Sequence, residues 1–306
     1  MRAVCVAVGL AAVAGAARAG VTNFDLFALD FYRQESAAAP PAAYAYMYSA
    51  RVMHTGDVSA AQVTQQGPVS PMVMDNRGAE WAYGSAVFAS RGERDASFPA
   101  GPYVFSLVVG GSGASATRQY PSVSGFAPAP PTFSAERFTA MQHADASSDT
   151  VIDPGPFQVP AGADYGYTFV LIFDENGGLV AYASSPANAG AFTVPGGLLE
   201  PGTDYTVSVY FSSRVRQNNA GFGGAFSEVG WDAVTDVRLR TRAGCGTSDF
   251  DRDGDAATDA DIEAFWRCFA GDCCPACLGP DFDGDGDAAT DADIEAFYRV
   301  LAGGAC

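Results

Sequence analysis

The sequence contains no lysine, so all 17 of its basic residues are arginines, set against 35 acidic residues in a chain of 306. The arginines form no cluster. A protein that binds nucleic acid needs grouped cations to neutralise the phosphates, so the sequence gives no electrostatic basis for nucleic-acid binding. The excess negative charge is concentrated in residues 245–306, which carry 15 acidic and 3 basic residues.

Histidines are few, and the common catalytic motifs are absent. Only His54 and His143 are present, and neither belongs to a His-Glu-x-x-His motif; Gly-x-Ser-x-Gly and Walker motifs are missing as well. We therefore predict that the protein is not an enzyme. A glycoside hydrolase is the alternative, because two carboxylates across a cleft leave no local motif. Its candidate carboxylates are Asp25, Asp30, Glu80 and Asp174.

Long apolar runs are limited to the N-terminus. Arg2 is followed by an apolar stretch over residues 3–16 and by the cleavage pattern Ala17-Arg-Ala19. These features predict a secretory signal peptide over residues 1–19, and so a secreted or cell-surface protein. No later stretch reaches the roughly 18 apolar residues of a membrane helix, so we predict no membrane span.

Cysteine is absent between Cys5 and Cys245, and the other six cysteines all lie in residues 245–306. An even number of cysteines in the smallest segment of an exported chain predicts disulfides that hold a small core together. A zinc site is the alternative. It is disfavoured because the cluster at 273–277 has no histidine nearby.

The middle of the chain has the pattern of β-strands. Short aromatic and β-branched runs alternate with Gly- and Pro-rich turns, and no helical periodicity competes with them before residue 118. We predict a β-rich domain over residues 20–125 and a β-sandwich over residues 132–243, separated by a proline-rich joint at 126–131. The strands expected in the first domain cover residues 44–53, 81–90 and 103–109.

Two local motifs support the second sandwich. Residues 165–174 and 178–183 predict strands joined by a hairpin turn at Glu175-Asn-Gly177. The sequence Leu199-Glu-Pro-Gly-Thr-Asp-Tyr205, followed by an alternating strand, resembles the L-x-P-x-T-x-Y signature of fibronectin type III domains. The resemblance implies an immunoglobulin-like sandwich in which Tyr205 forms a tyrosine corner.

Three tyrosines, Tyr44, Tyr46 and Tyr48, alternate along one predicted strand. They would suit a platform on which a glycan stacks, and a glycan is therefore one candidate partner. The simpler interpretation is that they form the inward face of a half-buried strand.

The C-terminal segment contains one sequence twice, since residues 249–272 and 281–304 are identical at 19 of 24 positions. Such a repeat predicts a duplicated structural unit. Each copy places carboxylates at positions 1, 3 and 5 of a loop, glycine at position 6 and a closing aspartate at position 13. Calcium takes six or more oxygen ligands from a loop of this kind, so we predict two calcium ions.

The predicted ligands are aspartates, with the fourth of each loop acting through its backbone carbonyl. They are Asp249, Asp251, Asp253, Asp255 and Asp261 in the first loop, and Asp281, Asp283, Asp285, Asp287 and Asp293 in the second. Asp259 and Asp291 are candidates for ligation through water. Starting the first loop at Asp251 would close it with Glu263 but put Ala256 where glycine belongs. An acidic linker without a metal site is the alternative.

Apolar residues at helical spacing follow each loop, and Gly271 and Gly303 stand where the two helices would end. They are Ile262, Phe265, Trp266 and Phe269, and then Ile294, Phe297, Tyr298 and Leu301. A loop followed by a helix is half an EF-hand, and two in tandem resemble the dockerin family. The resemblance covers residues 245–306 and implies calcium binding and docking to a cohesin-like protein.

The dockerin resemblance also implies a disulfide pattern. Antiparallel helices related by a pseudo-twofold axis, as in dockerins, would pair Cys245 with Cys306 and Cys274 with Cys277. Cys268 and Cys273 would then pair with each other. The alternative joins Cys245 to Cys274 and Cys277 to Cys306, since spacing alone does not determine connectivity.

The expected fold class is mainly β, with two β-sandwich modules followed by a small α module that carries the calcium loops. We predict a secreted, noncatalytic calcium-binding protein whose dockerin-like module displays or docks the β modules. One alternative is a carbohydrate-binding or polysaccharide-degrading protein tethered by its dockerin. Another is a stand-alone surface protein in which calcium is only a structural ion.

Overall fold

The computed structural model describes residues 20–40, 42–122, 125–187, 190–218, 225–242 and 244–304. The predicted signal peptide at residues 1–19 lies outside them. Within the described residues no helix is long and apolar enough to cross a membrane.

The described residues are mainly β, as predicted, with two of their four helices at the C-terminus. In chain order the elements are β1 (Val21–Gln34), β2 (Ala45–His54), β3 (Val58–Thr64), β4 (Met72–Val73), β5 (Asp75–Asn76), β6 (Glu80–Gly84), α1 (Arg91–Ser97), β7 (Gly101–Val109), β8 (Ser112–Tyr120), α2 (Ala135–Gln142), β9 (Thr150–Ile152), β10 (Tyr165–Phe173), β11 (Leu179–Pro186), β12 (Phe192–Val194), β13 (Asp204–Asn218), β14 (Phe226–Arg240), α3 (Asp259–Phe269) and α4 (Asp291–Leu301).

One eight-stranded sheet runs through both predicted β modules in the order β11-β10-β13-β14-β1-β2-β6-β5. Its neighbouring strands are antiparallel except for β1 and β14, which pair in parallel from Asn23 opposite Phe226 to Gln34 opposite Val237. This pairing could not be predicted from the sequence, because a contact between strands at opposite ends of the β region leaves no local pattern. The two modules are therefore joined edge to edge in a single sheet.

The first core lies between the large sheet and the four-stranded sheet β4-β3-β7-β8. Phe24 and Tyr48 from the large sheet pack against Tyr103 and Phe105 from the small one, and β14 contributes Trp231. Alternation puts one side of each strand into this core, and the residues between them are also buried in the middle of β1 and β14.

The three tyrosines at 44, 46 and 48 do not form a glycan platform. Tyr48 is fully buried in the first core, and its ring stacks on Phe98 with the ring centroids 4.3 Å apart. Tyr46 is half-buried beneath the guanidinium of Arg94. Tyr44 is exposed, and its hydroxyl donates to Asp236. The inward interpretation is thus confirmed for Tyr48.

The second core covers the other half of the same face of the large sheet. Side chains from α2 and from the loops around β9 and β12 pack on β10, β13 and the C-terminal half of β14, where Val237 and Leu239 are buried. Tyr205 is also buried there, and its hydroxyl accepts a hydrogen bond from the Glu200 N–H at 2.7 Å. This is the local geometry predicted for a tyrosine corner.

The helix α1 corrects the expectation that no helix interrupts the first β domain. Ser90 caps it by accepting from the Glu93 N–H, and buried Arg94 reaches back to Asp30 at 2.5 Å. A helix of about two turns is too short for a 3.6-residue period to show in the sequence.

The C-terminal module has its own core, built from the duplicated sequence. The rings of Phe265 in α3 and Phe297 in α4 stack with their centroids 4.0 Å apart. Glycine follows each helix, as predicted, with φ of +92° at Gly271 and +80° at Gly303. Trp266 and Tyr298 differ from the other apolar residues of these helices, because they remain 41% and 42% exposed.

Two of the predicted disulfides are confirmed, Cys268–Cys273 and Cys274–Cys277. The alternative pairing of Cys245 with Cys274 is wrong, because Cys274 is already bonded. Cys245 is itself disulfide-bonded. Its predicted partner, Cys306, lies outside the described residues, so that bond stays a prediction.

Candidate metal centre

The two repeats are held together by a reciprocal pair of backbone hydrogen bonds. The Gly246 N–H donates to the Phe282 carbonyl, and the Leu278 N–H donates to the Phe250 carbonyl, both at 3.0 Å. The two donors, Gly246 and Leu278, are 32 residues apart, and so are the two acceptors, Phe250 and Phe282, so the bonds are related by the repeat. The two loops therefore face each other across a pseudo-twofold axis.

Each loop gathers its first three aspartates around one point. Carboxylate oxygens of Asp249, Asp251 and Asp253 lie within 4.8 Å of one another. Gly254 follows with φ of +100°, and its N–H donates to Oδ2 of Asp249 at 3.2 Å. A left-handed glycine lets the chain turn around the cluster without a clash of Cβ.

The second loop repeats the same arrangement. Oxygens of Asp281, Asp283 and Asp285 also lie within 4.8 Å of one another. Gly286 has φ of +96° and donates to Oδ2 of Asp281 at 3.1 Å. Six of the ten predicted ligands are thus brought together, three in each loop.

One oxygen in each cluster has no partner. Oδ1 of Asp249 and Oδ1 of Asp281 are both inaccessible to solvent and accept no hydrogen bond. A buried carboxylate oxygen without a partner is costly, since it has lost its hydration. A cation between the three carboxylates would supply the missing interaction, so the residues present fit a bound metal ion.

Asp261 and Asp293, the predicted closing ligands, are not part of these clusters. Asp261 is fully buried. Its Oδ1 accepts from the Phe250 N–H at 2.6 Å and the Asp251 N–H at 3.3 Å, and its Oδ2 accepts from the N–H and hydroxyl of Thr258, both at 2.8 Å. Four hydrogen bonds match the lone-pair capacity of a carboxylate. In this structure Asp261 closes the loop by tying its start to the first turn of α3.

Asp293 makes the equivalent four bonds in the second loop, to Phe282, Asp283 and Thr290. Thr258 and Thr290 are the N-caps of α3 and α4, and each forms a capping box with the aspartate three residues later. The direct ligation by Asp261 and Asp293 stays a prediction.

The fourth predicted ligands lie at the edge of the clusters. The side chains of Asp255 and Asp287 are exposed. Their N–H groups donate to Asp253 at 2.9 Å and to Asp285 at 2.8 Å. Their ligation through the backbone carbonyl stays a prediction.

The residue by which each loop exceeds an EF-hand is accommodated by a left-handed alanine. Ala257 has φ of +61° and Ala289 has φ of +60°, and the N–H of Ala257 donates to the Ser248 carbonyl at 2.9 Å. Since alanine rarely adopts this conformation, no residue in the loop signals the turn.

The electrostatics of the clusters follow from this crowding. Desolvation raises the pKa of Asp251, and the carboxylates of Asp253, Asp261 and Asp249 raise it further. Desolvation would also raise the pKa of Asp261, but the hydrogen bonds from Thr258, Asp251 and Phe250 outweigh it and lower that pKa. The loops therefore concentrate negative charge that a bound cation would neutralise.

Comparisons with known proteins leave the family open. No family model matches the chain, and no curated protein matches it. One similar solved structure is a cytokine receptor complex, with 16% identity, coverage of 63% of this chain and 90% of that chain, and a TM-score of 0.22. Titin domains A168–A170 have 14% identity, coverage of 70% of this chain and 62% of that chain, and a TM-score of 0.19. Chicken CNTN1 FN1–FN3 domains have 12% identity, coverage of 74% of this chain and 68% of that chain, and a TM-score of 0.21. Scores this low do not establish a shared fold.

The four carboxylates considered for a hydrolase have separate surroundings. Asp30 is held by Arg94 and Arg91. Asp174 shapes the β10–β11 turn by accepting from the N–H groups of Asn176 and Gly178. Asp25 and Glu80 are buried in the large sheet.

Asp25 belongs to a charged network that the sequence analysis missed. Arg51 lies 3.4 Å from it. The guanidinium groups of Arg51 and Arg214 both lie over the Phe27 ring, and Arg214 contacts Asp232 at 2.6 Å. These residues come from four adjacent strands, and only the pairing of β1 with β14 brings them together. No local pattern would have revealed the network.

Proposed function

We propose that the C-terminal module, residues 245–306, binds two calcium ions, one in each loop. The observation that carries the proposal is that Oδ1 of Asp249 and of Asp281 is buried without a partner, in residues whose carboxylates converge with two others. Oxygen-only donors of this kind suit calcium rather than softer metals. Bound calcium would supply the positive charge that offsets the repulsion between the aspartates.

We further propose that the protein is secreted and noncatalytic, and that the C-terminal module docks the β region to a cohesin-like partner. The signal-like N-terminus and the two disulfides support export. The dockerin-like repeat supports docking. The absence of catalytic motifs supports a noncatalytic role, together with the ion pairs and turn contacts that occupy Asp30 and Asp174.

Calcium binding is tested by calorimetric titration of the chain without its leader. We expect two sites with affinities within about tenfold of each other, because the two ligand sets are identical. Asp249→Ala and Asp281→Ala should each abolish one site. Asp272→Ala makes the same substitution at an exposed position outside both loops and should leave both sites intact. The proposal is refuted if the chain binds no calcium in the titration, or if Asp249→Ala and Asp281→Ala leave both sites intact.

Docking is tested separately, with the calcium-loaded chain as bait in secreted material from the source organism. We expect a partner that is captured with calcium and released by chelator, and that is lost in the Asp249→Ala, Asp281→Ala double variant. If calcium binds but no partner depends on it, calcium is only a structural ion. Release of sugar from a polysaccharide panel, abolished by one carboxylate substitution, would contradict the noncatalytic role.

A further inference from the structure

The outer edge of β11 is a strand edge without the protection found at the other edges of the eight-stranded and four-stranded sheets. An unpaired edge presents a row of free N–H and C=O groups, and proteins normally shorten it, charge it or cover it. The edges β4 and β5 are two residues long. The edge of β8 is covered at Gln119, whose N–H and carbonyl both bond to the Gln217 side chain.

β11 has eight residues, LVAYASSP, and none of them is charged. It ends the order of the eight-stranded sheet, paired only with β10. Among the described residues, none forms a hydrogen bond to its outer side. Leu179 and Tyr182 are 51% and 44% exposed, so two large apolar side chains lie on this one strand.

We propose that β11 pairs antiparallel with β11 of a second copy of this chain, which makes the eight-stranded sheets of two molecules continuous. Antiparallel pairing of identical strands is isologous, so it closes as a twofold dimer and leaves no new edge.

The absence of charge makes β11 compatible with a second copy of itself. Like charges opposite each other destabilise a strand pair, and an uncharged strand places no like charges opposite each other in any register. The acidic turn before β11, with Asp174 and Glu175, would lie beside the uncharged Ser184–Pro186 end of the other copy. The strongest acidity of the chain is in residues 245–306, outside the sheet.

The test is sedimentation equilibrium of the calcium-loaded chain, from low to high micromolar concentration. We expect the average mass to approach that of a dimer as the concentration rises. Tyr182→Lys and Ser184→Lys each put a charge on the middle of β11, where the two copies would approach, and each should weaken dimerisation at least tenfold. Leu198→Lys is the matched control, because Leu198 is equally exposed at 44% and lies outside the strand.

A second readout identifies the interface. Amide exchange of residues 179–186 should slow as the wild-type chain is concentrated and should not slow in Ser184→Lys, which retains Tyr182. The proposal is overturned if the wild-type chain stays monomeric over the whole range. It is also overturned if a dimer forms that both β11 variants retain, or that Leu198→Lys weakens to the same extent.

Discussion

Asp25 is a buried carboxyl of the large sheet whose pKa is strongly raised. It is 2% exposed, and burial raises its pKa to about 7, with Arg51 opposing the shift, Glu228 adding to it and Arg214 opposing it. The pKa of an aspartate in the unfolded chain is about 3.9. At pH values between this pKa and the folded one, the folded state therefore binds more protons than the unfolded state. Stability contributed by Asp25 is then present at low pH and lost as pH rises towards 7.

We therefore predict that the free energy of unfolding falls between pH 5 and pH 7.5 in the wild-type chain and falls less in Asp25→Asn. Over this range the expected difference is on the order of 2.5 kcal/mol, because only about two of the roughly three units of pKa shift lie above pH 5. Urea titrations at both pH values, in saturating calcium, measure it. Asp75→Asn, on an exposed two-residue strand, is the control and should follow the wild type. Equal pH dependence in wild type and Asp25→Asn would contradict the assignment.

Among the helices and strands, those that could be predicted from the sequence are set by residues close together in the chain. The hairpin of β10 and β11 was predicted from the Glu175-Asn-Gly177 turn, and Gly177 does adopt φ of +79°. The helices α3 and α4 were predicted from apolar periodicity, and glycine ends both. These signals involve residues within one or two turns of each other, so tertiary contacts have little opportunity to override them.

Elements whose boundaries depend on distant contacts were predicted less well. The run at residues 81–90 was expected as one strand, but β6 ends at Gly84. The chain then turns so that the Ser85 hydroxyl accepts from the Tyr48 N–H and α1 can begin after Ser90. The strand propensity of residues 81–90 cannot predict where β6 ends, because the end depends on a contact with Tyr48 in another strand.

The candidate site shows the same division between local and distant information. Alternating aspartates and a following glycine predicted the clusters, and the structure gathers three carboxylates in each. The role of Asp261 was less visible, because an acid that caps a helix and an acid that binds a metal have the same side chain. Its position three residues after Thr258 is a capping signal, and the hydrogen bonds that occupy it agree with that signal.

At the scale of the whole molecule, β14 connects the two cores. Its N-terminal half buries Val229 and Trp231 in the first core, and its C-terminal half buries Val237 and Leu239 in the second. The proline-rich joint is also packed, since the ring of Phe126 stacks on Trp231 with centroids 4.9 Å apart. A strand that belongs to both cores gives a physical reason for the two halves to unfold together.

We predict that truncation in one core destabilises the other by the same amount. Trp231 is only 2% exposed, and Trp231→Ala removes its ring from the first core. This variant should lower the free energy of unfolding by about 3–5 kcal/mol. Native-state amide exchange should then show a loss of protection of that size in β10 and β13, which lie over the second core. Leu239→Ala is the reciprocal variant and should lower protection in β7 and β8. If Trp231→Ala lowers protection only in strands of the first core, the halves unfold independently despite the sheet that they share.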